Sequence, residues 1–509
     1  MTPNSNIRLL SGVNISPDSA HTLFFQSLSD QQSFFASQTS IQVSNNIVIK
    51  GTNTSGIIRV DNSLEEVYDC NYLMFQNVGY SNKWFYAFID EIKYINDMTT
   101  EIVYRIDSLQ SWFFEMDIPQ CFVEREHSIT DEIGDNIQPE NLQLGDVQIN
   151  KTEMLLGESA TSSAIAVGAS VTRTGNDAKG GMYGNVYSGI EYHLFDTAEE
   201  VGEWIADITD YNKAESIVSM CMVYKPFFPE KGEPPQVFDV GISKQIDGAF
   251  GDYLPKNKKL YTYPYNYLYM TTLNNSGATL PYEYFTTDNC SFRVVGTGGA
   301  SPIIQASPYK YKKANINLHE RITLSGFPLC SYNIDTWKAW LAQNAGGTTL
   351  STVSSALGVV AGIGATVATG GVGAVAGIAM VQGAMGVASS LAPVMATASK
   401  PPQSNGNASC NDLFSMSLFN FHCYNMRIGE QFAKIIDGYF TKYGYKTNQL
   451  KYPNISARPV YNFTKTVDMS VGGNMPLPCK NEINNIFNSG VTFWKNNEQI
   501  GNYAIDNQP

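Results

Sequence analysis

Between Lys338 and Lys400 the chain runs from Ala339 to Ser399, 61 residues, without one Asp, Glu, Lys, Arg or His. Charged residues make up 16% of the sequence, so a gap of this length is no chance fluctuation. It limits what the chain can fold into more than any other feature. The run is built from Ala, Gly, Val, Leu, Ile and Met, and the Gly370-Gly371 pair is its natural turn. That turn splits it into Thr352 to Thr369 and Val372 to Met395, each about long enough to cross a hydrocarbon core as a helix. Gly358-x3-Gly362 and Gly373-x3-Gly377 would let such helices approach closely. Trp337 and Trp340 stand at the entrance, where amphipathic aromatics anchor a membrane interface. Leu357, Val359, Val360, Ile363, Val367, Val375, Ile378, Val381, Val387 and Leu391 then form the membrane-contacting face. Two other readings fit the same composition, a helical hairpin buried in a large core and a flexible linker, because each glycine weakens a helix by up to about 1 kcal/mol relative to alanine. The run is also poorer in Leu, Ile and Phe than a constitutive span. Insertion would therefore be conditional: in a chain of mean hydropathy −0.18, such a hairpin has to be hidden by a partner surface or an oligomeric cavity until it is used.

The 509 residues allow two to four domains. Lys and Arg total 33 against 47 Asp and Glu, a formal net charge of −14. This is the wrong sign for tight nucleic-acid binding, which draws most of its affinity from Lys and Arg on phosphates. Low charge with 29 Tyr, 26 Phe and 6 Trp suits broad β surfaces and subunit contacts. The eight cysteines are scattered singly, outside any zinc or redox spacing, and read as reduced, buried small hydrophobes. The N-terminal residues lack an apolar stretch after basic ones, so they are not a secretory signal, and a cytosol is the expected place of synthesis and assembly.

Patterning predicts a mainly β chain with α+β elements. In residues 1–150, strands are expected at 46–50 and 56–60 about the turn 51–55, at Trp84 to Tyr94, at Glu101 to Asp107 and at Cys121 to His127, with a short helix about Leu109, Trp112 and Phe113. Residues 151–345 read as a separate α+β domain. Its strands are expected at Ala164 to Val171, Ile190 to Phe195, Ile217 to Tyr224, Tyr261 to Tyr269 and Cys290 to Val295, and its helix is capped by Thr197. Residues 346–400 are the apolar hairpin. In 401–509 a strand is expected at Leu413 to Tyr424, then a helix at Glu430 to Phe440 with Ile428, Phe432, Ile435, Ile436 and Phe440 on one face. A second helix about Glu482 to Asn488, stopped by Gly490, leads into a strand at Val491 to Trp494.

Signs of catalysis are missing. His21, His127, His193, His319 and His422 sit in no metal or catalytic motif, and there is no GxSxG, P-loop or GxGxxG after a strand. Glu124 and Glu126 flank Arg125 and hint at paired carboxylates, but as alternate residues of one strand they read as a solvated or inter-subunit ion-pair row. No catalytic site, cofactor site or metal site is expected, and an enzyme is not.

Several runs are nevertheless familiar. Tyr72-Leu73-Met74-Phe75-Gln76-Asn77, Asn82 to Phe88, Ile106 to Trp112 and Val123 to His127, with Lys442 to Lys446, Ile486 to Trp494 and Ile500 to Tyr503, resemble the tail-knob (distal tail tube) proteins of phi29-type short-tailed bacteriophages. The charge-free insertion ending at Pro401-Pro402-Gln403 stands in the matching place, whereas residues 150 to 330 carry none of these motifs. The resemblance implies a homohexameric tube whose wall comes from residues 1–150 and 401–509, with residues 151–345 as a knob that the missing motifs suggest is built differently. It further implies that the loops at 346–400 plug the lumen, hinge and pack about Gly358, Gly362, Gly370, Gly371, Gly373 and Gly377, and then penetrate the host membrane. The implied partners are other copies of the chain, the tail proteins on the collar side and the host membrane, while DNA passes through the lumen without specific binding. An acidic, lightly charged lumen would let it slide. The competing reading is a free-standing pore-forming protein that hides its hairpin in a soluble monomer.

Overall fold

The computed structural model describes residues 5–43, 49–51, 54–155, 163–169, 182–183, 186–187, 191–197, 200, 203–204, 217–224, 236–244, 248–272, 276–297, 303–312, 320–325 and 420–509. Strands dominate. The chain divides into two units: Met1–Gly145 with Ala249–Leu260 and Gly429–Pro509, and Asp146–Gly248 with Tyr261–Ile428.

In the first unit a seven-stranded sheet runs in the order Thr39–Gln42, Ser5–Ser11, Tyr72–Asn77, Trp84–Asn96, Thr99–Ile106, Ser55–Val60, Lys50–Gly51, every pair antiparallel. Strict alternation puts Ile102, Tyr104 and Ile106 inside while Glu101, Val103 and Arg105 stay partly exposed. A five-stranded sheet follows in the order His21–Leu23, Val491–Trp494, Tyr461–Thr466, Cys121–Glu126, Tyr445–Lys451, so the two ends of the chain share one sheet. Its inner face packs on Ser108–Trp112 and Leu477–Ser489 through Leu109, Val123, Ile483, Phe487 and Phe493. Gly490 ends the second of these helices at φ 98°, as expected.

Two expectations need correction here. The helix Leu28–Ser37 has no counterpart in the sequence reading; Ser27 caps it by accepting the Asp30 N–H at 3.1 Å, but only Gln31 and Phe35 are buried, so apolar periodicity is weak. The helix Glu430–Tyr443 buries Ala433, Ile436, Asp437 and Phe440, leaving Ile435 68% exposed. Ile428, Ile436 and Phe440 of the expected face are buried and Phe432 is half-buried, so only Ile435 is turned out, while Asp437 joins the buried side.

The second unit holds two four-stranded antiparallel sheets. One is Val147–Met154, His422–Ile428, Asn266–Thr271, Gly277–Leu280; the other is Gln236–Ser243, Asn289–Thr297, Ile303–Tyr309, Ile322–Ser325. A three-stranded sheet, Glu191–Phe195, Ser163–Ala169, Ile217–Tyr224, joins them around one core containing Ala166, Val223, Leu268, Phe292, Ile304 and Cys423. Thr197 makes the expected cap, its hydroxyl accepting the Glu200 N–H at 3.2 Å; most of the helix expected after it lies outside the described residues. So does the start of the strand expected at Leu413 to Tyr424.

A buried ion network and candidate assembly surfaces

The Cys121–Glu126 strand carries a β-bulge between Val123 and Arg125 against both neighbours. The bulge breaks the alternation that placed Glu124 and Glu126 on one solvated face. Arg125 and Glu126 turn inward instead, with Glu126 1% exposed, and Glu124 alone stays outside, 2.9 Å from Lys465. Each inward charge is answered. Glu140 accepts from the Arg125 guanidinium, from Lys259 Nζ at 2.7 Å and from the Lys446 N–H at 2.9 Å. Arg125 also donates to the Gly444 carbonyl at 2.6 Å and lies over the Tyr439 ring. Burial lowers the Lys259 pKa, a shift the Glu140 carboxylate opposes. Glu126 pairs with Lys451 and accepts the Asn454 N–H at 2.8 Å.

A second cluster ties Ala249–Leu260 to the rest of this unit. The fully buried Asp437 carboxylate accepts from Tyr253 Oη at 2.5 Å, from the Lys256 and Asn257 N–H groups at 2.8 and 3.0 Å, and from Asn257 Nδ2 at 2.9 Å. Asp131, its pKa raised by burial, accepts from Tyr445 Oη at 2.6 Å and from the Lys258 N–H at 3.2 Å. His127 is held neutral: Nδ1 accepts the Phe463 N–H at 2.7 Å and Nε2 faces the Thr441 carbonyl at 3.1 Å. Burial, helped by the charge of Arg458, lowers its pKa to about 3. These groups are hydrogen-bonded and ion-paired to one another and to the backbone. They fix strand register and chain path. Among the described residues no group of three or more His, Cys, Asp or Glu could hold a metal ion.

Outside, the same unit exposes apolar side chains in several places. Among the described residues the Tyr445–Lys451 strand is an edge, and Leu450, 71% exposed, lies opposite Phe122 across the ladder. The Val467 N–H donates to the Phe122 carbonyl, so Leu450, Phe122 and Val467 occupy neighbouring exposed positions. The Trp84–Asn96 and Thr99–Ile106 strands run on as an arm whose tip exposes Tyr94, Ile95 and Met98. Sequence reading did not single these out, although the aromatic, lightly charged strands were its signal for subunit contact.

The apolar run at 339–399, with all ten face residues and all six glycines named for it, lies outside the described residues. Among those that are described, no helix is long and apolar enough to cross a membrane. The six described cysteines, Cys70, Cys121, Cys221, Cys290, Cys423 and Cys479, are buried free thiols.

A family described as the C-terminal domain of the Bacillus phage phi29 tail knob protein gp9 matches residues 235–508, and one described as the N-terminus of caudoviral major tail proteins matches residues 3–117. Tail knob protein gp9 of Bacillus phage PZA is 25% identical over 99% of this chain and 98% of its own length. Gp9 of Bacillus phage phi29 is 23% identical over the same shares. The solved structure of the bacteriophage C1 tail knob protein gp12 has a TM-score of 0.64, with 15% identity and 98% of each chain covered. The likeness thus runs through residues 235–330, where no motif is recognisable by inspection and a differently built knob was expected.

Proposed function

The chain belongs to the family of tail knob proteins represented by gp9 of phage phi29, and on that premise we propose that it is a structural protein of the distal virion tail that forms a homo-oligomeric, hexameric conduit for genome ejection. The observation that carries this reading is similarity to tail knob proteins along 99% of the chain. The exposed Leu450 on an edge strand, with Phe122 and Val467 exposed beside it, supports it, since subunit contact would cover them. The hairpin at 346–400 plugs the lumen and then penetrates the host membrane, and DNA passes a lumen of few cations without specific binding. The collar-side tail proteins are the remaining partners, with assembly in the host cytoplasm.

Negative-stain electron microscopy with mass by light scattering, without lipid, tests the conduit: rings or tubes near six times 56.1 kDa are expected, and a monomer favours a free-standing pore-former. Liposome leakage tests the hairpin. Ile363→Asp or Ile378→Asp places a charge costing roughly 2.5–3.5 kcal/mol at mid-bilayer and should abolish leakage; unchanged leakage would return the segment to the buried-core reading.

A further inference from the structure

We propose that the outer face of the sheet Val147–Met154, His422–Ile428, Asn266–Thr271, Gly277–Leu280 in the second unit is a contact between copies of this chain. Cross-strand register arranges this face in rows. Ile149 stands opposite Met426, which stands opposite Tyr267. In the next row Thr152, Tyr424, Tyr269 and Thr279 follow one another across all four strands. Tyr263 packs against Tyr267 with ring centroids 5.5 Å apart. Ile149 is 57% and Tyr263 48% exposed, and Met426, Tyr267, Tyr424 and Tyr269 are half-buried. The opposite face of the same strands, with Leu268, Met270, Leu280 and Cys423, is the unit's core.

No row contains a charged side chain. Lys151 and Glu153 belong to the other parity of their strand, past a bulge at Ile149, and pair with each other at 2.9 Å. Gly277 is part of the construction: a Cβ there would meet the Tyr269 hydroxyl at 2.8 Å, so the glycine lets that phenol lie across the sheet. Val147–Met154 is also an edge strand, its only sheet neighbour among the described residues being His422–Ile428, and it offers backbone groups that a neighbouring chain can use.

The chemistry selects the occupant. Nucleic acid is disfavoured because no Lys or Arg faces outward in the rows to meet phosphate. A glycan is disfavoured because the Tyr263 and Tyr267 rings cross at 63° and present no common plane. Tyrosine, methionine and isoleucine without charge is the composition of a protein-contact core. Two copies that each carry −14 repel through their acidic surfaces, and a face without charge lets them meet without adding to that Coulomb cost. The inference rests on the homo-oligomeric reading above.

The test uses the full chain, with mass photometry and light scattering over a dilution series and thermal unfolding of each variant at dilutions below the wild-type half-association concentration. Ile149→Glu and Tyr263→Glu alter exposed positions and should unfold as wild type does; Tyr424→Glu strikes the centre. The expected result is a half-association concentration raised tenfold or more in all three, with unfolding unchanged in the first two. If Tyr424→Glu fails to fold, the two exposed variants decide. Wild type assembling and the exposed variants assembling at the same concentrations would overturn the proposal while leaving the oligomer intact, and would assign the face to a different protein. A wild-type chain that stays monomeric throughout overturns both.

Discussion

Glu140 is the carboxylate on which the first unit's buried charges converge, and its removal has a calculable consequence. Glu140→Gln keeps shape and volume but takes the paired carboxylate away from Arg125 and Lys259, whose side chains are 9% and 2% exposed. Stranding buried charge in this way costs about 3–5 kcal/mol. For a unit of this size, each kcal/mol moves Tm by about 2–4 °C, so calorimetry at pH 7 should show the first unit melting roughly 6–20 °C lower. The pH dependence adds a second signature. Burial already lowers the Lys259 pKa, and Glu140 opposes that shift; without Glu140 the folded pKa falls further below the unfolded value. A depressed folded pKa means stability is present above the unfolded pKa and is lost as pH falls toward the folded one. The deficit should therefore shrink between pH 7 and pH 10. A change below about 1 kcal/mol at pH 7, or a deficit indifferent to pH, would refute the reasoning.

Asp437→Asn removes an acceptor that holds four donors, so hydrogen exchange at the Lys256 and Asn257 amides should quicken tenfold or more while Tyr72–Asn77 is unaffected. Gly444→Ala should destabilise the fold by about 2 kcal/mol or more, read as a lowered Tm, because its φ of 63° with ψ of −149° suits glycine alone and a Cβ would abut the Glu126 carbonyl. Asp107→Asn should make the first unit acid-sensitive, as melts at pH 6.5 and 4.0 will show. His127, about 3 in the fold against 6.5, loses stability as pH falls through that range, whereas Asp107, pushed up by burial to about 6 from 3.8, gains it as pH falls from 6 toward 3.8. The two nearly cancel in wild type, and the variant keeps only the loss, about 3 kcal/mol.

Where residues alternate or end an element by their own chemistry, the fold was legible. Ile102, Tyr104 and Ile106, the Thr197 cap and the Gly490 stop each declare themselves within a few positions. What escaped depends on distant chain. The bulge that turns Arg125 and Glu126 inward is set by pairing with Tyr445–Lys451 and Tyr461–Thr466, more than 300 residues away, and nothing beside Arg125 announces it. Asp437 reads as the polar face of an amphipathic helix until Ala249–Leu260 is seen to lie against it. The uncharged rows of the second unit join strands 147–154, 266–271 and 422–428, and only the register assembles them. The tail-knob resemblance came from short, mostly buried runs such as Tyr72–Asn77 and reached the family without any of this.

An exposed leucine on its own means little, since folded surfaces are largely apolar. The first unit is unusual because two departures occur together: Arg125, Glu126, Glu140, Lys259 and Asp437 are buried, while Leu450 on an edge strand and Phe122 and Val467 beside it are exposed. Apolar side chains in those interior positions would hold the unit together as well as ion pairs do, because desolvation offsets most of what buried pairs gain. Stability therefore does not account for the arrangement. Directional bonds do something that apolar packing does less well: they fix one register at the bulge and one path for Ala249–Leu260. The subunit contact proposed at Leu450 would need that fixity, because a one-residue slip would turn Leu450 from the outer face to the inner one.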